Sequence, residues 1–472
     1  MSPSSRWPLF ILVATGVFLS TMDSSMINVA LPVIMAEFGV RLAAVEWVVL
    51  IYLLTITASL LLWGRLGDRF GPGRVYLAGM FVFILGSAAC SLVVSLGQLV
   101  GFRFFQGLGA AMMMANGPAI IRQVFPVATL GRMLGLIGVA TSIGLMSGPL
   151  VSGTLIHYFS WRVMFLATLP VSCTGLVLGS IFLLPDMKTS APVARPVSAF
   201  DWPGLILWSF LVLFLVGGST MIQTLPLASQ VSGAVATAVL LFLFLLRQRQ
   251  ALSPLLPLDI LASPRYGLAL LAAAISFAVL FVVLILIPFY LHHIKELSPR
   301  SLGLMMMSVP AAVFVIAPLG GALHDRIGAR LPATLGLLVC SLALFLLTRL
   351  SAVTPLIQVV LPLMLLGCGQ ALFLSPNSAS VLGHAAPEQG GIMSGLLATA
   401  RNLGMLCGTA LAGLLFGGFF AYYSGGLDVR DYQPAQVENF VRALRLTFGL
   451  TGGLSLLGAL VSGIRGEKKA EG

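Results

Sequence analysis

Fourteen stretches of this chain are each long and apolar enough to cross a lipid bilayer as one helix, which takes about 20 mostly apolar residues. Their approximate cores are residues 8–30, 44–63, 74–95, 98–121, 131–156, 161–184, 203–222, 226–246, 267–291, 303–323, 331–349, 355–381, 391–423 and 442–463. Hydrophobic residues make up 58% of the chain and charged residues 9%, whereas a soluble domain has about 25% charged residues. The sequence therefore predicts an all-α polytopic membrane protein with 14 transmembrane helices.

The basic residues predict how these helices are oriented. With a cytoplasmic N-terminus, sixteen Lys and Arg residues fall on the inner side and eight on the outer side, while Arg103 and Arg401 lie inside spans. Cytoplasmic loops carry the excess of positive charge. We therefore expect both termini in the cytoplasm (N-in/C-in) and a multi-pass protein of the cytoplasmic (inner) cell membrane. The basic residues are scattered among short loops, so the net charge of +11 does not indicate nucleic-acid binding.

An internal repeat relates the two halves of the chain. A shift of 260 residues superposes eight residues of the first half on identical residues of the second. Transporters are commonly built from duplicated halves. The pairs are Gly107 with Gly367, Gly109 with Gly369, Gly131 with Gly391, Met133 with Met393, Gly135 with Gly395, Gly144 with Gly404, Gly148 with Gly408 and Gly153 with Gly413.

The size of the shift predicts the architecture. A six-helix half needs only about 200 residues, so the offset leaves room for two more helices between the halves. We expect a six-helix bundle at 1–187, a linker with two inserted transmembrane helices at 188–266, a second six-helix bundle at 267–464 and a cytoplasmic tail at 465–472.

Asp23 is a single carboxylate inside the first apolar stretch. An ionisable group at bilayer depth is costly to keep, so it indicates the handling of a proton, an ion or a substrate. Glu46, beside Trp47, is the other acid close to a membrane face, and we expect it to be solvated in a loop rather than functional.

A glycine-rich basic loop between spans two and three recurs at the equivalent place in the second half. Glycines permit a tight turn, and the acid can cap the following helix, while the arginines can pair with acids or with helix C-termini. We interpret it as a gating loop. Its residues are Gly64, Asp68, Arg69, Gly71 and Arg74, followed in the second half by Asp325 and Arg326.

Four motifs together resemble the major facilitator superfamily. The loop Gly64-Arg-Leu-Gly-Asp-Arg-Phe-Gly-Pro-Gly-Arg74 resembles its signature loop. The runs Leu99 to Ala111, Gly144 to Gly153 and Asp23 to Pro32 are similar to motifs of the fourth, fifth and first spans in its fourteen-span drug:proton antiporter branch. The resemblance implies the major facilitator fold, with proton-coupled efflux of lipophilic drugs or toxic compounds by antiport.

The resemblance also implies roles for individual residues. Arg103, a permanent cation within a span, would take part in proton coupling with Asp23 as the acid; the alternative is that Arg103 snorkels or bonds backbone carbonyls to hold the bundle. The antiporter motif Gly144, Gly148, Pro149 and Gly153 forms a small-residue stripe that lets helices approach closely. In the family this stripe is taken to seal the central path in one conformation.

The remaining intramembrane polar residues are weaker candidates. They could line a substrate cavity, or they could hold helices together, since buried amides often do. Arg401 could also act as a conformational lock, which we favour, or contact an anionic substrate. The candidate cavity residues are Asn28, Tyr52, Gln106, Asn116, Asn377 and Arg401.

The alternative function is a dedicated exporter of one metabolite, siderophore or self-made antibiotic. A non-transporting membrane receptor fits less well, because no loop is large enough for a soluble domain. The sequence shows no catalytic set, phosphate-binding loop or metal-ligand cluster, so we expect no enzyme, no cofactor, no metal and no ATP. The expected partners are a small lipophilic substrate, protons and membrane lipids, with the protein as a monomer.

Overall fold

Each of the fourteen apolar stretches contains one long helix in the computed structural model. The structure describes residues 3–125, 127–189, 201–221, 227–251, 254–256, 258–383 and 390–465. Within these ranges fourteen helices have at least 18 residues: α1 (Pro3–Phe38), α3 (Trp47–Phe70), α4 (Pro72–Cys90), α5 (Leu96–Val124), α6 (Val127–Tyr158), α8 (Leu169–Thr189), α9 (Trp202–Met221), α10 (Leu227–Gln250), α12 (Pro264–His293), α14 (Ser308–Ile327), α15 (Arg330–Leu347), α16 (Ile357–Gly383), α17 (Gly390–Ser424) and α18 (Val437–Ile464).

Short helices join several of the long ones. They are α2 (Leu42–Val45), α7 (Val163–Ala167), α11 (Leu258–Ala262) and α13 (Pro299–Met306), with 3-10 turns at Val429–Asp431 and Pro434–Gln436. By length and apolar composition, eleven helices of the described ranges could cross a membrane. The prediction of an all-α polytopic membrane protein is confirmed, while the total of fourteen spans and their orientation stay predictions.

The chain divides into two compact units. The first contains Met1–Ile27, Trp47–Leu215 and Ser232–Leu255, and the second contains Asn28–Glu46, Val216–Val231 and Leu256–Gly472. The four segments expected from the sequence, and the three boundaries between them, stay predictions.

In the first unit, small residues let α5 pack closely on α4. A side chain added at Gly109 would overlap the backbone of Gly79 and Phe83. In the second unit α16 meets α15 in the same way, because a side chain at Gly369 would overlap the backbone of Gly336. Gly109 and Gly369 are one of the pairs related by the shift of 260 residues, so the sequence repeat corresponds to a repeated helix contact.

Helix α9, which the sequence predicts to be the first of two inserted helices, is anchored within the first unit. Nε1 of Trp208 donates a hydrogen bond to the carbonyl oxygen of Thr57 in α3, at 3.1 Å. Just before α9 begins, Asp201 accepts hydrogen bonds from the backbone N–H of Gly204 and from the side chains of Arg247 and Gln248 on α10. These contacts hold the N-terminus of α9 beside the C-terminus of α10.

Two loops of the same kind precede α4 and α15. Gly71 connects α3 to α4 with φ 94°, and Gly328 follows α14 with φ 77°. Side chains are disfavoured at such positive φ values, so glycine suits both positions. Asp68 lies within α3 and Gly71 takes the N-cap position of α4, while the side chain of Asp68, which was expected to cap that helix, lies outside the described residues.

Candidate functional site

Asp23 and Arg103 form a buried ion pair inside the first unit. Asp23 lies in α1 and Arg103 in α5, and Nη1 of Arg103 donates to Oδ2 of Asp23. Their side chains are 3% and 0% exposed. Removing one partner of a buried pair leaves an uncompensated charge, at a cost of about 3–5 kcal/mol. Each residue therefore supplies the countercharge that the other needs in this buried position.

Arg103 also binds α3. Its Nε donates to the carbonyl oxygen of Val48 at 3.1 Å, and its guanidinium carbon lies 4.1 Å from the ring centroid of Tyr52. The hydroxyl of Tyr52 in turn donates to the carbonyl oxygen of Ser20 in α1, at 3.4 Å. Arg103 thus pairs with the acid and bonds a backbone carbonyl as well, so one side chain joins α1, α3 and α5.

Gln106 holds the second oxygen of the acid. Its Nε2 donates to Oδ1 of Asp23 at 2.9 Å and to Oγ of Ser87 at 2.7 Å, while its Oε1 accepts from Nη1 of Arg103 at 2.7 Å. The hydroxyl of Thr168 donates to Oγ of Ser87 at 3.2 Å. The carboxylate is therefore bonded on both oxygens by side chains of α5.

The sequence anticipated only part of this cluster. Arg103 and Gln106 are three residues apart, a spacing that puts two side chains on one helix face. Gly86 leaves room for α5 at this level, because a side chain there would overlap the backbone of Gln106. Ser87 and Thr168 were missed, because a single hydroxyl in an apolar stretch has no distinguishing pattern.

The antiporter motif packs against the turns of α1 that carry Asp23. A side chain at Gly144 would overlap the carbonyl oxygen of Phe18, and one at Gly148 would overlap Ser25 and the carbonyl oxygen of Met22. Pro149 and Gly153, the other two residues of the motif, are buried in α6. The small-residue stripe therefore sets the distance between α6 and the helix of the acid.

The loop that the sequence analysis interpreted as a gating loop keeps its arginines at the surface. Arg69, Arg74 and Arg326 are exposed, and Gly64 is partly buried within α3. The side chains of Asp68 and Asp325 lie outside the described part of the structure, and so do the interactions expected of them.

Arg401 on α17 and Asn377 on α16 are predicted cavity residues of the second unit. Nη2 of Arg401 donates to Oγ of Ser378 at 2.6 Å, and its guanidinium carbon lies 5.7 Å from the ring centroid of Phe277. Asn377 donates to the carbonyl oxygen of Ala269 at 3.2 Å and accepts from Nη1 of Arg465 at 2.6 Å. Arg465 was counted as a basic residue of the inner tail, yet it is fully buried.

The other cavity candidates have different surroundings. Tyr52 and Gln106 belong to the ion-pair cluster described above. Asn116 donates to the carbonyl oxygens of Trp63 and Met112, at 3.1 and 2.9 Å, which fits the alternative of a residue that holds helices together. Asn28 is buried in α1. Glu46 is also fully buried, so the expectation that it is solvated in a loop is wrong.

Comparison with known proteins identifies the family. The Major Facilitator Superfamily profile matches residues 13–409 and 269–471. The chain is 33% identical over 463 residues to the riboflavin transporter RibZ of Clostridioides difficile (strain 630), covering 97% of each chain. It is 31% identical over 412 residues to the tetracenomycin C resistance and export protein of Streptomyces glaucescens, covering 87% of this chain and 76% of that protein.

Solved structures agree on the fold. A bacterial homologue of the human lysosomal transporter Spinster superposes with a TM-score of 0.68, covering 98% of both chains at 15% identity. Together with the profile match over most of the chain, the motifs and the helices, these likenesses assign the fold and the class of protein. The chain belongs to the major facilitator superfamily and is a multi-pass membrane transporter.

Proposed function

We propose that this protein exports lipophilic compounds from the cell in exchange for protons. The buried pair of Asp23 with Arg103 carries the proposal. A proton that binds Asp23 removes the countercharge of Arg103, and a buried unpaired charge is strongly unfavourable. Protonation of this acid therefore requires a change in the packing around it.

The contacts of the pair indicate which helices respond. Arg103 holds the carbonyl oxygen of Val48 in α3, and Gly148 of α6 lies against α1 at Ser25, two residues after Asp23. Once Asp23 is neutral, α1 loses its strongest bond to α5 while it stays packed on α6. We infer that this step favours the state that faces inward, where a substrate displaces the proton.

A proton gradient drives export only when the proton and the substrate stabilise different states. Asp23 meets this requirement if substrate binding favours its ionised form, paired with Arg103. The resistance and export protein for tetracenomycin C, which aligns with most of this chain, supports export as the direction. The protein would act as a monomer among membrane lipids, without ATP.

The test uses the full chain reconstituted in liposomes that contain a pH-sensitive dye. A proton gradient is imposed, and cationic, neutral and anionic compounds are screened, beginning with ethidium, tetracenomycin C and riboflavin. We expect some of these compounds to cause proton release by the wild-type protein. The Asp23→Asn protein should still bind these compounds but should release no protons.

The matched control is Asp431→Asn, which removes an exposed carboxylate and should transport like wild type. Proton-coupled transport by Asp23→Asn at the wild-type rate would overturn the role of the acid. Exchange of a compound without any proton movement in wild type would overturn antiport.

A second candidate is a dedicated carrier of one metabolite. The likeness to a riboflavin transporter favours it, since that relative aligns over 97% of both chains. Riboflavin as the single responsive compound in the screen would support this function, whereas responses to several unrelated compounds would support multidrug export.

A further inference from the structure

Glu46 is a buried carboxyl group that the proposed exchange mechanism does not use. It lies at the C-terminal end of α2, immediately before α3 begins at Trp47, and its side chain is 0% exposed. Among the described residues, neither Oε1 nor Oε2 has a hydrogen-bond donor. An ionised carboxylate without partners in an apolar site is much less favourable than the neutral acid.

The site of this carboxyl group is shaped by a glycine. Gly413 lies on α17, and a side chain added there would overlap the carboxyl group of Glu46. On the same helix Ala412 and Phe416 are fully buried. Gly413 therefore provides the space that the carboxyl group occupies, although the sequence marked it only as a member of the repeat.

Within the described ranges, no cation forms an ion pair with Glu46. Arg41, at the start of α2, lies 3.9 Å from Asp428 and is largely exposed. Arg430 pairs with Asp431 in the 3-10 turn that packs on α17. The titratable side chains of α17 itself are six or more residues from Gly413, which is about 9 Å or more along a helix; they are Arg401, Cys407, Tyr422 and Tyr423.

We propose that Glu46 is a second proton-binding site, which holds a proton while its carboxyl group packs against Gly413 and loses that proton to water when the contact opens. The segment between the first two spans is expected on the outer side. The proton would therefore come from the outer solution and return to it. Glu46 would control whether its contact with Gly413 is closed, whereas only Asp23 would carry protons across the membrane.

This proposal rests on proton-coupled export, yet its first test needs no substrate. Infrared spectra of the purified full-length protein show the C=O stretch of protonated carboxyl groups, and a group without hydrogen bonds absorbs at the high-frequency end of that region. We expect such a band at neutral pH in wild type and in Asp23→Asn, and its loss in Glu46→Gln. If no carboxylic acid band distinguishes wild type from Glu46→Gln, Glu46 is ionised and the proposal is overturned.

The second test measures the effect of outer pH on ethidium and riboflavin transport in liposomes. Raising the outer pH through the titration of Glu46 should slow wild type, about tenfold for each unit beyond the midpoint. Glu46→Gln, which stays neutral, should lose this slowing, retain only the weaker dependence on outer pH that proton binding at Asp23 sets, and keep the wild-type ratio of protons to substrate. Glu37→Gln, which changes an exposed acid near the end of α1, is the matched control.

The two proposals fail in different ways. Equal dependence on outer pH in wild type and Glu46→Gln would overturn control by Glu46, whatever Asp23→Asn does. Unchanged coupling in Asp23→Asn would overturn the exchange mechanism, while the infrared result for Glu46 would stand by itself.

Discussion

The polar bonds between α1 and α5 in the first unit are charged, whereas those between α12 and α16, the corresponding helices of the second unit, are neutral. In the first unit Arg103 of α5 pairs with Asp23 of α1. In the second unit, Gln370 of α16 and Ser276 of α12 bond each other. Oγ of Ser276 donates to Oε1 of Gln370, and Nε2 of Gln370 donates to the carbonyl oxygen of Ser276, both at 2.9 Å.

The packing around the two clusters is the same. Gly148 of α6 lies against Met22 and Ser25 of α1, and its repeat partner Gly408 of α17 lies against Ala278 of α12. The two units therefore have similar close helix contacts. They differ in the polar side chains beside those contacts, which form an ion pair in the first unit and neutral hydrogen bonds in the second. The helix contacts serve both units, while only the first unit's cluster can change its charge by binding a proton.

The largest expected effect comes from breaking the charged cluster. Arg103→Met leaves Asp23 buried without its counterion, which should lower stability by about 3–5 kcal/mol and abolish proton-coupled transport. Thermal unfolding of the purified protein and the liposome assay measure the two effects. Asp23→Asn combined with Arg103→Met should regain most of the stability without regaining transport. An Arg103→Met protein with wild-type thermal stability would contradict the assigned ion pair.

The shared packing can be tested at equivalent glycines. Gly148→Val and Gly408→Val each force a side chain into a neighbouring helix, and overpacking typically costs about 1–3 kcal/mol. We expect similar losses of thermal stability in both. The proton-to-substrate ratio should fall in Gly148→Val alone, because only its contact helix carries the acid. Loss of coupling in both variants would show that the two stripes are not functionally distinct.

Substitutions of Gln106 and Gln370 test the same difference between the units with smaller expected effects. Gln106→Leu removes a donor to an ionised carboxylate, and such bonds contribute about 1.5–3 kcal/mol. Gln370→Leu removes neutral bonds, for which about 0.5–1.5 kcal/mol is expected. The pH dependence of transport should shift in Gln106→Leu and stay as in wild type in Gln370→Leu. Chemical denaturation and transport at several pH values check both expectations.

The smallest effects are expected from removing one serine hydroxyl in each cluster. Ser87→Ala removes the hydroxyl that Gln106 and Thr168 both bond, and Ser276→Ala removes the hydroxyl that bonds Gln370. Each should cost about 0.5–1.5 kcal/mol. Only Ser87→Ala should change the rate of proton release measurably. Equal proton-release rates in Ser87→Ala and wild type would place Ser87 outside the coupling path.

The sequence predicted the helices well because runs of apolar residues leave the backbone few alternatives in a bilayer. The juxtaposition of Asp23 and Arg103 could also be anticipated, since each is too costly at bilayer depth without a partner. The burial of Glu46 could not be anticipated, because it depends on a contact with Gly413, far away in the sequence. Arg465 was misjudged for a related reason: charge counts do not show which basic residue of a tail folds back onto Asn377.

The Ser276–Gln370 pair carries no charge, so it adds nothing to the charge that one transport cycle moves across the membrane. With Asp23 as the carrier, exchange of one proton for one monovalent cation moves no net charge, so membrane voltage would not drive it. Export of a neutral compound by the same exchange brings one positive charge inward, and voltage then adds about 2.3 kcal/mol per 100 mV. The charge of the substrate would therefore decide whether this transporter draws on the pH gradient alone or on the voltage as well.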